Sequence, residues 1–284
     1  MIRYLADAEK PISEALYREA FPEDQDAFVN YYYTYVTKNN RILVEEQAGE
    51  VCSMLHLNPY RFSVNGQAVD AYYYVAVATK ERYRHQGMMR SLLHQSLQDI
   101  YKGGHPFTYL MPANRAIYEP FDFRIVYEQK KVELPLDPAE ANEKMAKLFD
   151  IYTLRDSWYM EKMLEEERVC AGDAPFDIPP YIMMRITHIE NMLGLLRSRR
   201  YRKIILKAED RIIPENNGRF LWEISEKESH CTKLTKDQLT ISEKDWTEIS
   251  IGIADLTEFV FGKCRIRGLE DIQVLKRICI NEAV

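Results

Sequence analysis

An α/β fold followed by a smaller α+β unit is predicted for this chain, on three observations. The stretch from Ala71 to Met111 reads as strand, tight turn, helix and strand. Before it, short apolar runs are folded back at Ala48-Gly49-Glu50 and at Asn65-Gly66, the latter a strong two-residue hairpin signal. After it, three prolines and a glycine between Ala171 and Pro180 mark a boundary, beyond which a new run of strands begins.

Each element has its own signal. Ile2 to Leu5 reads as a first strand and Ile12 to Phe21 as a helix, interrupted by Pro22-Glu23-Asp24 before a tyrosine-rich helix from Phe28 to Val36. Arg41 to Glu46 and Val51 to Asn58 pair as strands. Tyr72 to Val77 is β-branched and aromatic, the composition of a strand buried on both faces. Apolar residues then recur at Met88/Met89, Leu92/Leu93, Leu97 and Ile100/Tyr101, the spacing of one helix face, until Gly103-Gly104. Phe107 to Met111 is the next strand, stopped by Pro112; Asn114 caps a short helix ended by Pro120; Arg124 to Leu134 alternates as a strand. Asp137, Pro138 and Glu140 open a helix with a stripe of Ala141, Met145, Leu148 and Tyr152, and Trp158 to Leu164 forms another. Past the boundary, Ile182–Ile186, Lys203–Ala208, Arg219–Ile224, His230–Leu234 and Gln238–Ile241 read as strands, Ile189–Leu196 as a helix, and Ile249–Phe261 as a helix or helix pair.

Composition narrows the function classes. The chain has 284 residues, 46% of them hydrophobic, enough for a large core. It has no apolar run of membrane-spanning length, and MIRYLADAEK lacks a secretory core, so a cytoplasmic protein is expected. A net charge of -6 argues against nucleic acid as partner and suits a cationic amine. Cys52, Cys170, Cys231, Cys264 and Cys279 are scattered without metal-site spacing, so reduced thiols and no metal are expected.

The turn Arg82-Tyr83-Arg84-His85-Gln86-Gly87 carries the chemistry. A helix start presents unpaired N–H groups and the positive end of the peptide dipoles, so an anion such as a pyrophosphate can rest there. Gly87 lets backbone and phosphate approach, and Arg82, Arg84 and His85 add positive potential. Solvated arginines on an ordinary strand-to-helix connection have the same composition; the flanking V-x-V strand and amphipathic helix favour the anion site.

With Val75-Ala76-Val77 and Arg84-His85-Gln86-Gly87-Met88-Met89, the chain resembles the GNAT superfamily of acyl-CoA-dependent N-acyltransferases. Met89 stands where the generic motif has a small residue, a departure that resembles the Eis-like branch. The resemblance implies a mixed central sheet flanked by helices. It implies that Val75 and Val77 line the pantetheine arm of acetyl-CoA and that Arg82, Arg84, His85, Gln86, Gly87, Met88 and Met89 surround the pyrophosphate. Arg185-Ile186-Thr187, Pro214-x-Asn216-Asn217-Gly218 and Ala254-Asp255-Leu256-Thr257-x-Phe259-x-Phe261-Gly262 resemble the sterol-carrier-protein-like domain that ends Eis-like enzymes. The expected division is a GNAT domain over 1–135, a helical linker over 136–172 and a sterol-carrier-like domain over 173–284. The middle domain of larger members is missing, and the resemblance implies a homo-oligomer.

Amine acetylation needs a held thioester, a deprotonated amine and a stabilised thiolate. Ile117-Tyr118-Glu119-Pro120-Phe121-Asp122-Phe123 is similar to the branch's I-Y-x-x-F-x-[YF] setting, with Asp122 replacing a glycine of the longer pattern. That makes Tyr118 the implied general acid and the terminal carboxylate of Val284 the implied base. The tail from Ile278 to Val284 alternates, as a buried strand would. His56, His85, His94 and His105 are bases by residue type alone. In the family's fold the loop between the first two helices borders the acceptor, which points to Phe21, Glu23 and Asp24; the same carboxylates also suit a helix start. The expected activity is acetyl transfer to a primary amine, of a polyamine, an aminoglycoside-like molecule or a lysine side chain. The alternative is an acyl-CoA- or lipid-binding module without catalysis.

Overall fold

The computed structural model describes residues 1–130, 132–170, 180–235 and 247–282. The first elements are β1 (Ile2–Tyr4), α1 (Glu14–Ala20), α2 (Asp26–Thr34), β2 (Arg41–Gln47), β3 (Glu50–Val64), β4 (Gln67–Thr79), α3 (Met88–Lys102), β5 (Phe107–Leu110) and β6 (Arg124–Glu128). Then come α4 (Pro138–Leu148), β7 (Ile151–Thr153), α5 (Ser157–Val169), β8 (Tyr181–Ile186), α6 (Ile189–Gly194), β9 (Arg197–Ser198) and β10 (Arg202–Glu209). The chain ends with β11 (Gly218–Ile224), β12 (Ser229–Lys233), β13 (Thr247–Gly252), α7 (Ile253–Val260), β14 (Ile272–Gln273) and β15 (Ile278–Cys279).

The main sheet has nine strands in the order β1-β2-β3-β4-β5-β8-β6, with β7 on β3 and β15 on β7. It is mixed, because β4 and β5 run parallel while β2, β3 and β4 form antiparallel hairpins. Asn65-Gly66 closes the longest hairpin with both residues at positive φ, the conformation such a tight turn demands. On one face α3 lays Leu92, Leu93, Leu97 and Ile100 over Leu43, Leu55, Leu57 and Tyr74. Fully burying each of those leucines contributes about 1.5–3 kcal/mol. On the other face α1 and α2 pack Leu16, Tyr32 and Val29 over Met54 and Phe62, in one cluster that continues into the C-terminal residues Leu193, Phe259 and Phe261. A second sheet, β12-β11-β10-β13, completes the C-terminal unit.

Several expectations are corrected. The run from Ile249 to Phe261 is a strand and then a helix, because Ile249, Ile251 and Ile253 alternate before the helical spacing starts. Tyr152 is not on the stripe of α4: that helix ends at Leu148, Phe149 is extended, and Tyr152 lies in β7. The strand from Arg124 ends at Glu128 rather than Leu134. Ile12 and Ser13 belong to a 3-10 turn ahead of α1, since Pro11 lies inside it. The strand at Gln238–Ile241 lies outside the described residues. The strand at Ile182–Ile186 exists, but it sits in the first sheet, between β5 and β6, rather than in the second unit. Its buried apolar pattern suits an interior position in either sheet, and only the pairing tells them apart.

That insertion has a consequence. Strands β5 and β6 have β8 as their shared neighbour, so a fragment ending at residue 172 removes the strand that joins them. Such a fragment is expected to give a broad, non-cooperative urea transition and to aggregate, whereas the full chain unfolds cooperatively. A sharp transition from the fragment, with native-like far-UV dichroism, would contradict this.

Candidate active site

The centre of the main sheet opens where β4 and β5 part. They pair at Tyr72–Thr108, Tyr73–Tyr109 and Tyr74–Leu110, and there the pairing stops, while β4 runs on to Thr79. Pro112 has no N–H to extend the ladder on the β5 side. Just past the parting, β4 carries a bulge: Ala76 has φ 51°, and the register with β3 shifts between His56–Val75 and Met54–Ala78. The bulge shifts the register of the strand at Val75 and Ala76, which stay buried, while Val77 is half-buried, and none of the three pairs with β5.

Helix α3 starts beside this gap. Its N-cap is Gly87 with φ 86°, and His85 is also left-handed at φ 62°. A β-carbon on Gly87 would meet nothing within 4 Å, so the glycine is required by the backbone turn, and space is left above it. The amides of Met88, Met89 and Arg90 precede the first intrahelical bond, from Ser91 to the Gly87 carbonyl at 3.0 Å. Arg84 donates to the Thr79 carbonyl at 3.2 Å and Gln86 to the Arg82 carbonyl at 3.1 Å, which folds the loop over itself. Arg82 is drawn aside to pair with Glu50, whose carboxyl is held below its usual range by Lys80 and then by Arg82. Arg84, His85 and Arg90 are left exposed at the mouth.

Tyr118 lies between two 3-10 turns, Arg115–Ile117 and Glu119–Phe121, the first capped by the Asn114 side chain on the Ala116 amide at 3.0 Å. Asp122 closes the second turn at φ 65°, the left-handed region that favours glycine. The Tyr118 ring meets Phe123 edge-on at 6.1 Å and packs on the same apolar cluster as Val77 and Met89.

The tail is docked, as its alternation suggests. β15 runs parallel to β7, Ile280 is fully buried, and Asn281 bonds the Lys130 carbonyl at 3.2 Å. Val284 lies outside the described residues. Glu282, which lies outside the site residues expected from the sequence, is 3% exposed. One carboxylate oxygen accepts the Tyr159 hydroxyl at 2.9 Å; the other has no partner among the described residues, nor have the buried hydroxyls of Tyr60 and Tyr109. Around it Tyr73 and Tyr109 stack at 4.9 Å and Tyr60 crosses Tyr73 at 6.3 Å. Lys162, bonded to Glu166 at 3.0 Å, sits 5.4 Å over the Tyr60 ring, and burial raises the Glu166 carboxyl. The Tyr73 phenol is raised chiefly by burial, then by Glu282, and it also feels Tyr118. The signal for Glu282 was its parity with Ile278 and Ile280; nothing in the sequence singled out Tyr60, Tyr73, Tyr109 and Tyr159 from 19 tyrosines.

The acceptor candidates have partners of their own. Asp24 accepts the Tyr17 hydroxyl at 2.7 Å, Phe21 rests on Tyr17 at 4.9 Å, and Glu23 is exposed. Among the candidate bases, His56 is buried against the Tyr32 hydroxyl at 2.9 Å and pushed down to about 3 by desolvation, so it stays neutral. His105 takes part in a bond with the Asp70 carbonyl, and His94 meets the ring edge of Phe121. Among the described residues no cluster of three metal-ligating groups occurs, and no helix is long and apolar enough to cross a membrane.

Comparison with known proteins bears on the fold. Residues 1–126 match the family model of the acetyltransferase (GNAT) domain, and residues 193–283 match that of the sterol carrier protein domain. No curated protein matches the sequence. Among solved structures, a conserved protein from Enterococcus faecalis described as a probable N-acyltransferase superposes with TM-score 0.72 at 13% identity, over 96% of this chain and 93% of its own. A GCN5-related N-acetyltransferase from Anabaena variabilis gives 0.67 at 14% identity, over 97% and 95%. Eis1 from Mycobacterium abscessus gives 0.65 at 14%, over 96% and 93%. At such identities the likeness is one of fold, and it spans both units.

Burial makes the site's phenols hard to ionise. Those of Tyr118 and Tyr127 are pushed up to about 12, and those of Tyr60, Tyr109 and Tyr159 are raised further. In the unfolded chain they ionise near pH ~10, so each contributes stability fully present below that value and lost as pH rises through the folded value. The urea midpoint should be level from about pH 8 to about pH 10 and fall steeply above it. A midpoint that stays level to about pH 12 would contradict the buried, neutral state of these groups.

Proposed function

We propose that this chain, an N-acetyltransferase joining a GNAT domain to a sterol carrier protein domain, passes the acetyl group of acetyl-CoA directly to a primary amine in a ternary complex. The observation that carries the reading is the parted β4 beside the open start of α3, with Tyr118 packed on the same cluster. Acetyl-CoA fits that surface chemically. The pyrophosphate takes the amides of Met88, Met89 and Arg90 under the positive end of α3, with Gly87 leaving room and Arg84 and His85 adding charge. The pantetheine amides complete the free edge at Val75 to Val77.

Acetyl-CoA supplies an activated thioester, and the rest is done by side chains. The Tyr118 phenol stays protonated at neutral pH, so it can donate to the departing thiolate. The acceptor enters as an ammonium, and the free oxygen of Glu282 within its tyrosine wall is suited to hold it, by charge and by cation–π attraction. The terminal carboxylate of Val284, two residues beyond Glu282, takes the proton before the amine attacks. Phe21, Glu23 and Asp24 then serve the outer part of a long acceptor. A small polyamine, an aminoglycoside-like amine or a lysine side chain all meet these demands.

No observation favours the lipid-binding reading. A cleft of about 510 Å³ lies at the seam of the two units, and Gln67, Asp70, His105, Glu190, His230 and Thr232 give it a polar lining.

The test is thiol release from acetyl-CoA by the full chain with linear polyamines, aminoglycosides and lysine peptides. Turnover is expected with at least one class. Tyr118→Phe should lower kcat by about 10²- to 10⁴-fold with CoA affinity unchanged. A two-residue C-terminal extension should do likewise by displacing the Val284 carboxylate. Protein that binds CoA yet releases no thiol with any acceptor would overturn the reading.

A further inference from the structure

The turn that carries Tyr118 is tied at three points, through β8 and directly, to the C-terminal unit. Arg185, fully buried in β8, donates Nε to the Phe121 carbonyl at 2.9 Å and Nη2 to Asp210 Oδ1 at 2.7 Å. Asp210 follows β10; its Oδ1 also accepts the amides of Ile212 and Ile213 at 2.9 and 3.0 Å, and its Oδ2 accepts Asn216 at 2.9 Å. Arg211 reaches across to Asp122 at 3.2 Å, the left-handed residue that closes the turn. Arg124 donates to the carbonyls of Glu119 and Phe123 and faces Glu258 of α7 at 3.7 Å. Ile212 and Ile213 press on the cluster that holds Phe121, Phe123 and Leu93, against which Tyr118 packs.

A short 3-10 turn has few internal bonds and leaves its last carbonyls without partners. Left alone, Glu119–Phe121 would sample several conformations, and a non-glycine at φ 65° persists only where its surroundings over-determine it. A fully buried ion pair adds little net stability over apolar residues of the same volume, but it fixes direction, because each guanidinium hydrogen points at one acceptor. We infer that the Arg185–Asp210 pair, with Arg211 on Asp122, is a positioning device by which the C-terminal unit sets the direction of the Tyr118 hydroxyl. Arg185, Asp210 and Arg211 are positioning residues that act through Tyr118. The inference rests on the proton-donor role proposed for Tyr118. It gives the sterol carrier protein domain a task in the transfer that requires no ligand of its own.

The experiment is a double-mutant cycle in the full chain. Arg211→Ala, whose side chain is exposed, and Arg185→Lys are each made alone and with Tyr118→Phe. Two quantities are read: kcat for thiol release with the acceptor found above, and hydrogen exchange of the amides of Phe121, Asp122 and Phe123. Each single variant should lower kcat by about tenfold or more, with CoA affinity unchanged, and speed exchange in that turn. In the Tyr118→Phe background the further loss should vanish, because the group being aimed is gone. Arg211→Lys should restore most of the rate. Equal losses in both backgrounds, or unaltered exchange in the turn, would overturn the inference. Full activity of Tyr118→Phe itself would instead remove the proton-donor role, and the inference with it. Should Arg185→Lys fail to fold, Arg211→Ala decides alone, and its exchange readout needs no acceptor.

Discussion

The arrangement depends on one constraint: β4 and β5 stay paired for three residues and then separate. Hydrogen bonding normally continues along parallel strands, because a free edge in a sheet interior wastes donors and acceptors. Here Pro112 ends β5 and the bulge at Ala76 turns β4, so the edge from Val75 to Val77 is left for another partner. Helix α3 begins at Met88, after the loop that follows β4, and its first amides precede the first intrahelical bond. The acetyl-CoA proposed as substrate carries amides at one end and a diphosphate at the other, a chemical match to both.

The C-terminal unit is built into the first one. Its neighbouring strand β8 fills the sheet between β5 and β6, its loop after β10 grips the tyrosine turn, and its last strand returns to β7. The tail then delivers Glu282 among four tyrosines, where burial and charge meet. Such a carboxylate is costly unless something pairs with it, and the ammonium proposed as acceptor has the charge to do so. A net charge of -6 gives such a cation a favourable approach.

Local features were legible in the sequence because local physics causes them. Asn65-Gly66, the cap at Gly87, the stripe of α3 and the stop at Pro112 each follow from residues within a few positions of one another. The roles of Val77, Met89 and Tyr118 come from a resemblance alone; all three pack against the apolar cluster under α3, which is large enough to hold residues from many elements. Two things were hidden. The apolar run Ile182–Ile186 announces a buried strand without naming its neighbours, of which β5 lies more than seventy positions back. The tyrosine cage draws on β3, β4, β5 and α5, so no window of sequence contains it. Ile249, Ile251 and Ile253 show the opposite failure, where a two-residue period was present and was absorbed into a helix.

The most direct measurement is a hydrogen-exchange footprint of CoA on the full chain. The account predicts slowed exchange at Val75 to Val77 and at Met88, Met89 and Arg90, with no change at Ser229 to Thr232. Protection confined to the seam cleft around Gly103 to Pro106 and Ser229 to Thr232, with the start of α3 unaffected, would contradict it.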